Sequence, residues 1–188
     1  MKHIMLISLV ICSTVLIVIF AESSYRLVFS KSATSYEIKA AFLIKFTDFI
    51  QWPDESFSKN PDHFILGILG RDVFQNLFNP FVGKLIQGRS FMIRHFKGMH
   101  ELSSVSNLQI LFVSRSELPH FKAIFEQLDT KGILTISDTP EFIRYGGTIV
   151  FVKKGKRIGF EINRVSEKRA GLKICSDLLQ LATRVHNK

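Results

Sequence analysis

Phe64-Ile65-Leu66-Gly67-Ile68-Leu69 is six residues without a polar side chain, closed by Gly70-Arg71-Asp72. A strand with one wet face alternates apolar and polar residues; an unbroken run this short reads as a strand covered on both faces, the habit of parallel sheets. Leu108–Val113, with Gln109 its one polar side chain, reads as another buried strand, and Ser90–Phe96 and Gly132–Ser137 supply further strands. Helical spacing falls between them. Ile38, Ala41, Phe42, Phe46 and Phe49 recur at three- and four-residue steps after Ser35, an expected N-cap, and Trp52-Pro53 is expected to end that helix. Shorter helices are expected at 73–78, 117–128 (Pro119 in its first turn) and 139–145. Gly146-Gly147 marks a turn. Residues 148–152 and 157–163 form a hairpin around the basic run 153–157, and a last helix runs from 166 to 185. The expected fold class is α/β: a compact three-layer domain, its sheet mainly parallel, with helices on both faces and an antiparallel edge hairpin.

The first residues are a different object. Met1-Lys2-His3 is a short basic start, and Ile4–Phe20 is apolar apart from four small polar residues. This is the layout of an export signal over 1–21, or of an uncleaved anchor, since 17 residues lie at the lower limit of a membrane span. Residues 22–34 read as a flexible lead-in and 35–188 as the folded domain.

Charge narrows the function. Without residues 1–21 the chain keeps 24 basic against 16 acidic side chains. That balance suits anionic partners, and export argues against nucleic acid. Cys175 is the one cysteine beyond the leader. On an apolar helical face it reads as a buried thiol, with an intermolecular disulfide as the sharper alternative. The six histidines are scattered, and no metal-ligand spacing or nucleophile elbow occurs. No catalytic residue, cofactor or metal site is expected, so the chain reads as a binding protein rather than an enzyme.

Two candidate sites remain. Gly67-Ile68-Leu69-Gly70-Arg71 places backbone N–H groups and a guanidinium at a strand-to-helix turn, which suits a phosphate. Arg184 and His186, at the end of the expected last helix, are a second pair of cations. Together Arg71, Arg184 and His186 form a candidate site for a small anionic ligand such as a nucleotide. The second candidate is a docking patch of Phe74, Phe78 and Phe81, crowded around Pro80. Replacing Phe78 or Phe81 with Glu is expected to abolish partner binding and leave the fold intact.

An ordered set of segments is similar to the YfiR-like periplasmic proteins: Tyr36–Leu43 with Phe46 to Trp52-Pro53, the 67–70 turn, Gly88-Arg89 and Gln109–Ser114. It continues in Ile133–Asp138, Gly146–Ile149, Phe160–Asn163 and Ala170–Ile174. The resemblance spans about residues 36 to 185. It implies a non-catalytic α/β domain, often a homodimer. Such a protein binds the periplasmic sensor part of an inner-membrane diguanylate cyclase and restrains it, lowering cyclic-di-GMP signalling and with it biofilm and exopolysaccharide production. An outer-membrane lipoprotein sequesters the restraint. Disulfide control, described for some members, does not extend to a chain with Cys175 alone. Intact-mass measurement of the exported chain should show residues 1–21 removed; full mass in the membrane fraction would make the segment an anchor.

Overall fold

The structure, a computed structural model, describes residues 34–104, 107–155 and 157–187. The expected export segment, the lead-in up to Ala33, and Lys156 of the basic run lie outside the described residues. Helix α1 (Ser35–Phe46) is capped by Thr34 rather than by Ser35. The Thr34 Oγ1 accepts from the Glu37 backbone N–H at 3.2 Å, and the Glu37 carboxylate accepts from the Thr34 N–H, a capping box. The helix buries Lys39, Ala40, Leu43 and Phe46, one face at helical spacing. It stops at Phe46, short of Trp52-Pro53, because Ile50–Gln51 (β1) pairs antiparallel with Lys173–Ile174 (β9), 120 or so residues away.

The main sheet contains β2 (His63–Leu69), β3 (Leu85–Ile86), β4 (Arg89–Phe96), β5 (Ile110–Val113), β6 (Leu134–Ser137), β7 (Ile149–Lys154), β8 (Arg157–Asn163) and β10 (Arg184–His186), in the order β10-β8-β7-β6-β5-β2-β4-β3. Strands β2, β4, β5, β6 and β7 are parallel. Their placement, second-first-third-fourth-fifth, is a doubly wound order. The apolar runs divide residue by residue between the two faces. Phe64, Leu66, Ile68, Ile110 and Phe112 pack with α1, whereas Ile65, Leu69, Leu111 and Val113 pack with α2 (Phe121–Gln127). Helical segments thus cover both faces, as the unbroken runs required.

Several expected elements differ. The helix expected at 73–78 is a 3₁₀ segment, Gln75–Phe81, containing Pro80. That expected at 117–128 is split into 3₁₀ turns (Arg115–His120) and α2, with Pro119, which has no N–H to donate, before the junction. The expected last helix breaks into α3 (Arg164–Arg169), β9, α4 (Ser176–Leu181) and β10. Gly171 supplies the break with φ +70°, and the two-residue spacing of Leu172 and Ile174 belongs to extended chain. The hairpin β7–β8 forms as expected but is not the sheet edge: β10 lies outside it, parallel to β8.

The phenylalanines around Pro80 are core. Phe74 and Phe78 are 1% and 0% exposed, and Phe74 meets Phe112 edge-on at 4.7 Å between ring centres. They offer nothing to a partner. Phe81 is half-buried, with Lys84 Nζ over its ring. Cys175, expected to be buried, is exposed.

One buried ion pair ties α1 to the sheet. Lys39 Nζ lies 2.6 Å from Asp138 Oδ2, with the two side chains 10% and 8% exposed. The Tyr36 hydroxyl donates to the same oxygen at 3.1 Å. Burial raises the Tyr36 pKa, the Asp138 charge and this hydrogen bond raise it further, and Arg115 opposes them. Its folded value therefore lies above its unfolded one, so the stability it contributes is complete below about pH 10 and is lost as pH rises through the folded value.

Asp138→Ala, which strands the Lys39 ammonium, should cost about 3–5 kcal/mol in a urea melt, and the Lys39→Met/Asp138→Leu pair should restore most of it. Unchanged stability in Asp138→Ala would contradict this account. In an ultraviolet titration Tyr36 should ionise above the usual tyrosine range, and Asp138→Asn should lower it. Phe78→Glu should prevent folding altogether, by burying an unpaired charge.

Candidate functional site: an arginine-lined cavity

In doubly wound sheets ligands sit beyond the carboxyl ends of the strands where the order reverses, here between β2 and β5. Arg71 is at that place, but its turn is filled. Its backbone N–H donates to Ser116 Oγ at 2.9 Å, and the side chain of Glu117 is almost wholly buried beside Gly70. A Cβ on Gly70, where φ is +88°, would lie 2.5 Å from Ser116 Oγ and 2.8 Å from Glu117 Oε1. A carboxylate in that position repels a phosphate, so the turn is a packed corner rather than a cradle.

Arg184 and His186 are elsewhere. Strand β10 is five strands from β2 across the sheet, roughly 24 Å at the usual strand spacing of about 4.8 Å. It lies beside the ending of β8, at the end of the sheet where β7 begins. The three sequence candidates therefore do not form one site: the structure separates Arg71 from Arg184 and His186. It also takes the latter two off a helix terminus, so no helix dipole assists them.

What Arg184 and His186 join is an open cavity of about 600 Å³. Three elements build it. The last turn of the 3₁₀ segment Pro140–Tyr145 brings Arg144, strand β8 brings Glu161, and α3 brings Arg169. Asn163 fixes the start of α3: its Oδ1 accepts from the backbone N–H groups of Val165 and Ser166 at 3.0 and 3.2 Å, while its own N–H donates to the Thr148 carbonyl at 2.8 Å. Gly146, where φ is +108°, turns the chain beside Arg169. Thr183 seats β10 by donating its N–H to the Phe160 carbonyl at 2.8 Å, and Gly159 admits it, since a Cβ there would meet Thr183 Oγ1 at 2.5 Å.

The cavity's charge is unbalanced. Its acid, Glu161, is engaged by His186, with Nε2 to Oε2 at 2.7 Å. Arg144, Arg169 and Arg184 make no ion pair among the described residues, and each is exposed. Three guanidinium forks converging on one space suit a phosphate or carboxylate group, which each can grip through two parallel N–H donors. Sequence reasoning missed Arg144, Arg169 and Glu161. No local spacing links them, and only strand order brings 144, 161, 169 and 184 together. Among the described residues no group of three or more His, Cys, Asp or Glu side chains is arranged to hold a metal ion, and no helix is long and apolar enough to cross a membrane.

Comparison with known proteins places the fold. A conserved domain protein of Vibrio cholerae superposes with a TM-score of 0.54 at 7% identity, covering 81% of this chain and 60% of that one. The ABC domain from Streptococcus pneumonia, solved in complex with L-Trp, superposes with a TM-score of 0.50 at 12% identity, covering 76% of this chain and 61% of that one. This chain thus spans about three fifths of each, and at such identities the likeness is one of α/β fold alone. No curated protein matches the chain. The family model described as YfiR/HmsC-like matches residues 36–183, nearly all of the described domain and the same stretch that carries the sequence resemblance, and the chain belongs to that family.

Proposed function

We propose that this protein is an exported regulator that binds and restrains an inner-membrane diguanylate cyclase through the cyclase's periplasmic part, lowering cyclic-di-GMP and biofilm or exopolysaccharide output. The family match over residues 36–183 carries the reading, because that family is periplasmic, regulatory rather than catalytic, and tied to a diguanylate cyclase pathway. An outer-membrane lipoprotein that sequesters the regulator, and a homodimer as its working form, belong to the same proposal.

A second reading rests on the arginine cavity. A small anion held by Arg144, Arg169, Arg184 and His186 would let the protein sense a ligand, and it would alter cyclase binding to the extent that its affinity differs between the free and the bound regulator.

Deleting the gene should raise cyclic-di-GMP in the cell, and the tagged full chain should capture a membrane diguanylate cyclase from solubilised envelopes. Unchanged cyclic-di-GMP together with no cyclase captured would end the regulatory reading. For the cavity, calorimetry with inorganic phosphate and with a nucleoside monophosphate should show binding weakened about tenfold or more by Arg184→Ala or Arg144→Ala, a loss of about 1.4 kcal/mol, and unaffected by Arg71→Ala. Equal affinity in all four proteins would dismiss the cavity.

A further inference from the structure

The sheet ends on one side in an incomplete edge. Strand β4 pairs with β2 from Ser90 to Phe96, and the hydrogen bonds show which residues face which way. Ser90 donates its N–H to the Asp62 carbonyl and Phe96 accepts from the Gly70 N–H, both at 2.8 Å, so even-numbered residues of β4 face β2. Phe91 instead donates to the Lys84 carbonyl at 2.8 Å and accepts from the Gly83 N–H at 2.9 Å, so odd-numbered residues face outward. Strand β3 covers only this first part, its register ending at Leu85 opposite Ser90. Beyond it the outward N–H and C=O groups of Ile93 and His95 meet no partner among the described residues.

Such an edge is a template for one more strand. Its surroundings say which kind. From Val73 to His100 the sequence contains no Asp or Glu; Asp72, just before it, lies 3.6 Å from the His95 ring and Arg89 is stacked on Phe57, which leaves Lys84, Arg94 and Lys97 as cations with no ion pair among the described residues. Apolar side chains stand exposed around it: Leu85 is 73%, Val82 52% and Met92 40% exposed. A second copy would bring the same positive charge to the edge, and like charges across a strand pair are destabilising. An acidic strand meets the opposite condition.

We infer that the outer edge of β4 accepts an extended, acidic and apolar segment of a partner protein by strand addition, hydrogen-bonded to Ile93 and His95. Apolar side chains of that segment cover Val82, Leu85 and Met92, and its carboxylates face Arg94 and Lys97. The inference rests on the reading of this chain as a partner-binding regulator and names the surface used.

The test uses the folded full chain and a fluorescent Glu–Val decapeptide, Thr-Val-Thr-Val-Thr-Val-Thr-Glu-Thr-Glu, which puts Val and Glu on one face because Met92 and Arg94 share a face of β4, with its Lys–Val counterpart as control. The Glu–Val peptide should bind saturably, and hydrogen exchange at the Ile93 and His95 amides should slow in the complex. His95→Pro removes an edge donor that bonds nothing in the free protein, and it should weaken binding at least tenfold. Should that variant fail to fold, the Arg94→Glu/Lys97→Glu pair tests the charge, again with a tenfold loss expected. No binding, equal binding of the Lys–Val peptide, or binding indifferent to these variants would overturn the inference. So would self-association that protects the same two amides, since the occupant would then be a second copy. A wild type that captures the cyclase yet ignores the peptide sinks strand addition alone; peptide binding without cyclase capture sinks the pathway reading alone.

Discussion

Backbone polar groups of a parallel sheet are satisfied only within the sheet, so its central strands must be roofed on both faces by apolar side chains. Everything else here follows from meeting that condition for β5 and β6, every residue of which is buried. Residues 110 and 112 face one layer and 111 and 113 the other, and helical segments must arrive on both sides to cover them. The phenylalanines gathered near Pro80 serve this end. Phe74 lies against Phe112 and Phe78 against Phe91, closing one face where no full helix is available.

The condition also decides where charge can go. Within the layers a charge survives only when matched, as Lys39 is by Asp138 and Tyr36, and a matched group has nothing left for a ligand. Unmatched charge is pushed to the rims. Three arginines collect at the β10 rim around Glu161 and His186, and Lys84, Arg94 and Lys97 lie along the β4 rim. The two rims terminate opposite ends of one sheet, so an anion at one and a partner strand at the other would touch different elements. Any coupling between them would have to pass through the shared strands rather than through contact.

The switch-point corner shows how a fold can carry the outline of a ligand site without its function. Gly70 and Arg71 stand where doubly wound proteins hold ligands, yet Ser116 and Glu117 occupy the space. The arginine cavity lies instead at the opposite end of the strands. Its groups come from β8, β10 and the turns beside them, additions to the five parallel strands.

Local sequence was sufficient wherever a residue's fate depends on its near neighbours. Unbroken apolar runs specified β2 and β5, Gly146-Gly147 the turn, and the alternation at 157–163 the hairpin, because burial period and backbone conformation are short-range properties. Tertiary structure alone decided the rest. The helical spacing of 166–185 gave way to β9 and β10, because pairing with β1 and β8 satisfies backbone groups that a frayed, glycine-broken helix would leave open. Phe78 and Phe81 have the same side chain three residues apart, yet one is sealed in the core against Phe74 and Phe91 and the other is half in solvent; what each meets across the fold, not their spacing, sets that difference. Arg71 and Arg184 looked alike as candidate cations, and they ended about five strands apart because the chain crosses the sheet between them. Charge and apolarity are properties of residues and can be read from the sequence. Proximity belongs to the folded sheet, where long-range hydrogen bonds choose each strand's neighbours.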